Sequence, residues 1–245
     1  GITTTLRMIS GYITPTVGRI EVAGYDVVQD NISVAKRIGY LPELPPLYDT
    51  LSVVGYLRFV AKAKGVTRSE MDLALARVAT AWRLGSVFRH EVFKLSKGYR
   101  QRLGLAQALI GKPDVLLLDE PTSGLDPLMK QVFYDMVLEM KDAGKAAFIS
   151  SHDLTEVQKI CDRAGFIRDG KLIAIENLHD KNAMSYKKYQ VRFEKTPAIE
   201  ELTVSSNIKI VANDNNIITF AVTGNIDSFI KAIAQFEVLD LDEQE

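Results

Sequence analysis

Three groups of residues carry types and spacings that suit chemistry on a phosphate. Asp119 and Glu120 close the apolar run Val115-Leu116-Leu117-Leu118 and stand directly before Pro121. If that run is a strand of a parallel sheet, both carboxylates lie at its carboxyl end, the edge where such sheets bind ligands. Ser96 and Gly98 precede a helical stretch reaching Ile110. A hydroxyl and a free backbone N–H at the amino end of a helix attract a phosphate, although Ser96 could equally serve as an ordinary N-cap. His152 follows Ser150-Ser151 and a second apolar run, Ala146 to Ile149. A lone histidine is usually structural, so its meaning depends on what the fold places beside it. His90, His179 and the single cysteine, Cys161, are scattered without the spacing of a zinc site.

The elements that must position these groups are legible in outline. Helical periodicity covers Thr3 to Ser10. Gly18 to Val22 alternates as a strand ending at Ala23-Gly24, and Ile38 to Leu41 is another short strand. Pro42, Pro45 and Pro46 then impose an extended loop. From Ser52 to about Gly111 the pattern is helical, with Val53, Val54, Leu57, Val60 and Ala61 on one face and Met71, Leu73, Leu75, Val78 and Trp82 partly on another. Strands return at 115–118 and 146–149 around a helix whose apolar positions are Leu128, Val132, Phe133, Met136, Val137 and Met140. Such alternation predicts a parallel sheet covered by helices. Asp169-Gly170 predicts a hairpin between Phe166-Ile167 and Lys171 to Ala174. Beyond about Ser185 strands at 189–193, 208–211, 217–222 and 238–241, with helices near Ile199 and over 226–234, form a small α+β unit of β-α-β-β-α-β order.

Composition narrows the function classes. With 245 residues, 47% hydrophobic and 25% charged, the chain can bury a sizeable core. Thirty basic against thirty-one acidic residues give a net charge of −1, so nothing calls for nucleic acid as a partner. One cysteine cannot form an internal disulfide and fits a reducing compartment, where Cys161 reads as a small apolar residue. No apolar run approaches the roughly 20 residues that span a bilayer, and the amino terminus lacks the pattern of a signal peptide.

Taken in order, Leu95-Ser96-Lys97-Gly98-Tyr99, then Val115 to Asp119-Glu120-Pro121-Thr122-Ser123-Gly124-Leu125-Asp126, then Ser150-Ser151-His152, resemble the signature loop, the Walker B and D-loop segment, and the switch region of ABC transporter nucleotide-binding subunits. The resemblance covers residues 1 to about 175. It implies an α/β P-loop NTPase core of mainly parallel sheet over residues 1–185, a helical subdomain at about 45–111, and a carboxyl-terminal α+β accessory domain over 186–245. It also implies ATP and Mg²⁺ as cofactors. By that resemblance Asp119 holds Mg²⁺, and Glu120 is the base that orients or deprotonates the attacking water. His152 contacts the γ-phosphate, and Ser96, Gly98 and Asp126 serve the nucleotide site formed with a second ATPase subunit. The division is physically sensible, because Mg²⁺ favours oxygen ligands and the water needs an acceptor on its other side.

The same resemblance exposes departures. Lys97 and Tyr99 replace a glycine and a glutamine in the signature loop, and Lys97 would add charge near the phosphate. Glu43, after Ile38-Gly39-Tyr40-Leu41-Pro42, replaces the Q-loop glutamine; it can still reach Mg²⁺ but brings a negative charge and loses an amide donor. Leu44 to Tyr48 would receive an integral membrane permease subunit or pack internally. Gly1 and Thr3 fit the last glycine and the hydroxyl of the phosphate-binding pattern G-x-x-x-x-G-K-[ST], and Thr3 and Thr4 offer hydroxyls to Mg²⁺ and phosphate. Ile2 stands where the lysine belongs and supplies no charge. A piece of a longer competent ATPase, an altered sequence and a degenerate site each account for this, and the presence of Ser96, Asp119, Glu120 and His152 favours the first two. The expectation is an ATPase of the bacterial ABC-2 exporter kind, cytoplasmic and peripheral on the inner face of the cell membrane, closing as a dimer on ATP. The alternatives are a non-hydrolysing regulatory subunit and a soluble ABC ATPase outside transport.

Overall fold

The computed structural model describes residues 1–168, 170–178, 186–197, 208–223 and 226–244. Contacts divide the chain into two units, one of Gly1–Ile160 with Ile167–Lys171, the other of Cys161–Phe166 with Leu172–Glu245. The expected boundary at 185/186 adjoins residues 179–185, which lie outside the described set, as do Asp169, His179 and the helix expected near Ile199.

The first unit is built on three parallel strands, β3 (Ile38–Leu41), β4 (Val115–Asp119) and β5 (Ala146–Ser150), in the order β3-β4-β5. Register sets Leu41 beside Leu118 and Asp119 beside Ser150. Leu116, Leu117 and Leu118 are almost wholly buried because β4 is the central strand, covered on both faces. Ahead of the sheet come α1 (Ile2–Ile9), the short hairpin of β1 (Glu21–Val22) and β2 (Tyr25–Asp26), and α2 (Asn31–Arg37). Leu6, Val22, Val27 and Val34 from these segments pack with Ile38 and Leu117 in one core. The strand expected from Gly18 shrinks to two residues here. The periodicity also failed to suggest α2, whose only fully buried side chain is Val34 and whose Ile32 is exposed.

The helical stretch contains α3 (Val53–Ala63), α4 (Met71–Ala81) and α5 (Lys97–Leu109), with single 3₁₀ turns at Gly85–Val87 and Val92–Lys94. Ser52 caps α3 by accepting the Gly55 N–H at 3.1 Å. Buried Val53, Leu57, Val60 and Ala61 follow the expected face, whereas Leu73 points to solvent. α5 packs so closely on β3 that a Cβ on Gly39 would collide with the Ala108 carbonyl oxygen, so only glycine fits there. Gln107 Nε2 donates to Tyr40 O at 2.7 Å across the same seam. Lys64 Nζ donates to the Ala35 and Ile38 carbonyls at 2.6 and 2.7 Å, satisfying the end of α2. Beyond the centre, α6 (Pro127–Asp142) buries Met129, Phe133, Tyr134 and Val137, and α7 (Leu154–Ile160) follows β5.

β6 (Arg163–Arg168) and β7 (Lys171–Asn177), all but residues 167–171 of them in the second unit, form a two-stranded sheet, as the hairpin signal predicts. β8 (Tyr186–Phe193), β9 (Ile208–Asp214), β10 (Ile217–Thr223) and β11 (Val238–Gln244) form an antiparallel sheet in the order β11-β8-β10-β9. The four strands and α8 (Asp227–Ile233) follow the expected element order, while the helix expected near Ile199, between β8 and β9, lies outside the described residues. Tyr189, Val191, Phe193, Ile218, Phe220 and Val222 alternate onto one face and pack with Phe229 and Ile233 of α8 (Asp227–Ile233). Phe229 stacks on Tyr189 at 5.1 Å between ring centroids.

Candidate active site

Parallel register carries Asp119 and Ser150 to the same end of neighbouring strands, and the site grows from that pair. The Ser150 hydroxyl donates a short hydrogen bond to Asp119 Oδ1 and accepts the Glu120 N–H at 3.1 Å. Asp119 is 3% exposed, and its second oxygen, Oδ2, is buried without a hydrogen-bond partner. An unpartnered buried carboxylate oxygen is costly unless something else satisfies it.

Glu120 follows with φ +50°, a left-handed conformation uncommon for a residue bearing a side chain and typical of functional turns. The turn swings its carboxylate toward the carboxyl end of β5, where Oε2 meets His152 Nδ1 at 2.8 Å. Hydrogen bonding to Glu120 and the charge of that carboxylate raise the His152 pKa above its ordinary value. Gln101, buried on α5, holds the turn from below: its Nε2 donates to Pro121 O at 2.8 Å and to Glu120 O at 3.3 Å.

A cleft of about 390 Å³ opens at this edge and is lined by Ile2, Thr3, Glu43, Asp119, Glu120, Ser123, Ser150, Ser151 and His152. Of the residues anticipated from sequence, it therefore gathers Thr3, Glu43, Asp119, Glu120 and His152. Gly1 is the N-cap of α1, and neither it nor Thr4 lines the cleft. The lining holds three carboxylates and neither lysine nor arginine, so a polyphosphate entering it needs a cation. The donor set fits Mg²⁺, since Asp119 Oδ2 is orphaned and Thr3 and Glu43, residues with hard oxygen donors, line the same cleft.

Ser96, Gly98 and Asp126 stand outside this lining. Ser96 caps α5 by accepting the Tyr99 N–H, and a Cβ on Gly98 would lie 3.1 Å from Gly124 O, so the amino end of α5 sits tightly on the loop after Glu120. The methylenes of Lys97 run along Gly124, within 3.3–3.5 Å of a Cβ built there. Asp126 caps α6 through the Met129 N–H at 2.9 Å and pairs with Arg102 at 3.1 Å.

Sequence reasoning missed the supports. Gln101 shares a buried stripe with Leu105 and Ala108, and an amide at that spacing is the signal that could have exposed it. Glu156 of α7 is buried and accepts from Thr122 Oγ1 at 2.7 Å, Lys130 Nζ at 2.6 Å and Tyr134 OH at 3.0 Å. Burial would raise its pKa, but hydrogen bonds from Lys130, Thr122 and Tyr134 outweigh burial and lower it. Those partners are 34, 26 and 22 residues away, beyond any local pattern.

Comparison with known proteins agrees with this geometry. The ABC transporter family model matches residues 1–123. The ABC transporter ATP-binding protein YhcH of Bacillus subtilis is 35% identical over 219 residues, covering 89% of this chain and 70% of that protein. The bacitracin transport ATP-binding protein BcrA of Bacillus licheniformis is 37% identical over 177 residues, covering 71% of this chain and 56% of that one. The probable multidrug ABC transporter ATP-binding protein YbhF of Escherichia coli is 35% identical, and the chain spans 32% of its length. A solved ATP binding subunit of an ABC transporter superposes with a TM-score of 0.68 at 29% identity, covering 74% of this chain and 75% of that one. The chain belongs to the ABC transporter family, as an ATP-binding ATPase subunit with the P-loop NTPase fold.

Proposed function

We propose that this chain binds ATP in the cleft between the amino end of α1 and the carboxyl ends of β4 and β5, and hydrolyses it to power export through a separate membrane subunit. The observation that carries the reading is the convergence of Asp119, with one oxygen buried and unpartnered, and the Glu120–His152 pair on a single cleft. In this reading Glu120 accepts a proton from the attacking water or orients it, and His152, within hydrogen-bond reach of Glu120, faces the γ-phosphate. Thr3, which lines the cleft, contributes its hydroxyl to the phosphates, whereas Gly1 and Thr4 stand off the lining and are assigned no contact with them. Asp119, Glu43 and Thr3 would hold Mg²⁺, which supplies positive charge against the triphosphate when bound.

Ser96, Gly98 and Asp126 lie off the cleft of their own chain, so a second copy arranged head to tail completes each site with them. Leu44 and Tyr48 are 83% and 53% exposed beside the cleft residue Glu43, which supports the 43–48 loop as the seat of the membrane subunit. No helix among the described residues is long and apolar enough to cross a membrane, and coupling to a separate membrane subunit would place this chain at the inner membrane face. One observation favours a second reading, a nucleotide-binding regulatory subunit: Ile2 lines the cleft where a lysine would neutralise phosphate.

ATP turnover by the chain and by Glu120→Gln separates the two. The first reading expects turnover that falls by about 100-fold or more in Glu120→Gln, with a nucleotide-dependent dimer persisting in sedimentation. Equal turnover in both overturns the assignment of Glu120. Turnover absent in both, and gained in Ile2→Lys, establishes the regulatory reading instead.

A further inference from the structure

The amino-terminal half of α5 touches the loop after β4 at successive points. Lys97 and Gly98 lie against Gly124, Gln101 donates to the Glu120 and Pro121 carbonyls, and Arg102 pairs with Asp126. Gln101 is the innermost of these contacts, 5% exposed, and its amide donates to the Glu120 and Pro121 carbonyls. Glu120 needs such a hold. Its φ of +50° is disfavoured for a residue with a Cβ and persists only when its surroundings over-determine it. On the other side its N–H is taken by the Ser150 hydroxyl and carbonyl at 3.1 and 3.2 Å. The peptide units flanking the Glu120 side chain are thus clamped, one by β5 and the other by α5.

We propose that Gln101 is a positioning residue for hydrolysis: its buried amide fixes the strained turn that aims the Glu120 carboxylate, and it ties that aim to the placement of α5. The inference rests on the hydrolytic reading of Glu120. Because Ser96 and Gly98 occupy the amino end of the same helix one turn earlier, any displacement of that end reaches the Glu120 carbonyl through Gln101. α5 thereby becomes a rigid lever between the surface offered to a second copy and the chain's own general base.

Gln101→Met keeps the length and packing but removes both donated hydrogen bonds. It should lower kcat for ATP by about 10- to 100-fold, as expected when a catalytic group is misplaced by about 1 Å, and leave KM within about 2-fold. Gln101→Glu adds a readout that packing alone does not move. Its carboxylate cannot donate to either carbonyl, whereas its protonated acid can donate to one of them, so the ratio of its kcat to that of the unaltered chain should climb as pH falls. Circular dichroism and the urea midpoint identify folded variants. Unchanged kcat in folded Gln101→Met, or a rise in KM alone, overturns the proposal. If Gln101→Met does not fold, the Gln101→Glu ratio decides, and a pH-independent ratio overturns it. Absence of turnover in the unaltered chain would instead sink the hydrolytic reading and is recognised before any variant is made.

Discussion

Glu156 offers the sharpest quantitative test of how the site is held. Its carboxylate is 8% exposed, against 35% for Lys130, and the hydroxyl donors Thr122 and Tyr134 belong to residues 7% and 8% exposed. Glu156→Ala removes the acceptor from three donors at once, leaving two buried hydroxyls unpartnered and a half-buried ammonium without its counter-charge. Breaking a buried pair from one side typically costs about 3–5 kcal/mol. Glu156→Gln keeps one oxygen acceptor and most of the packing, so about 1–2 kcal/mol is expected. The urea midpoint of each variant, read with a probe confined to the first unit, reports these values, because two units need not unfold together. Lys130→Met combined with Glu156→Leu should recover part of the loss, and the double-mutant cycle isolates the ion pair. The lowered Glu156 pKa adds a pH signature. Its stabilising contribution is present above the unfolded carboxyl value near 4.5 and is lost as pH falls through the lower folded value, so the variants and the unaltered chain should converge in acid. Because α7 begins two residues after His152 and Glu156 bolts it to Thr122 and α6, Glu156→Ala should also slow turnover. A loss below about 1 kcal/mol in Glu156→Ala would refute the claim that this network is a buried anchor.

Three further outcomes are expected. His152 should titrate above its ordinary value near 6.5 in an NMR titration and return toward it in Glu120→Gln; the pairing is complete below the unfolded value and is lost as pH rises through the raised one. Where Glu120 acts as base, kcat should therefore rise through that same pKa. Ile2→Lys should tighten ATP binding about 10-fold, measured by calorimetry, because one cation then faces a cleft lined by three carboxylates. Gly39→Ala should cost about 2–3 kcal/mol in the urea midpoint, since its methyl group would meet the Ala108 carbonyl and the Leu116 side chain.

Much of the frame was legible because it rests on local pattern. Val115 to Leu118 is too apolar to be anything but a buried strand, the 3.6-residue repeat around Phe133 yields α6, and alternation from Tyr189 to Phe193 yields β8. Asp119, Glu120 and His152 could be picked out by residue type at strand ends, and the family order of the motifs linked them. What the chain could not announce was how these ends meet. The parallel register that seats Ser150 beside Asp119 joins residues 31 apart, and the left-handed turn at Glu120 is stable only between β5 and Gln101. Gln101 and Glu156 lie in helical segments where residue type alone names no partner. Their burial and partners exist only once α5, α6 and α7 close around β4 and β5. Local periodicity is a property of a few neighbouring residues, whereas the meeting of the Glu120–His152 pair, an unpartnered carboxylate oxygen and the donors beside them is a property of packing between distant ones. The sequence by itself marked candidate residues by type and position, and the tertiary structure decided which of them, Thr3, Glu43, Asp119, Glu120 and His152, share one cleft and which, Ser96, Gly98 and Asp126, stand outside it, because only packing brings distant segments together.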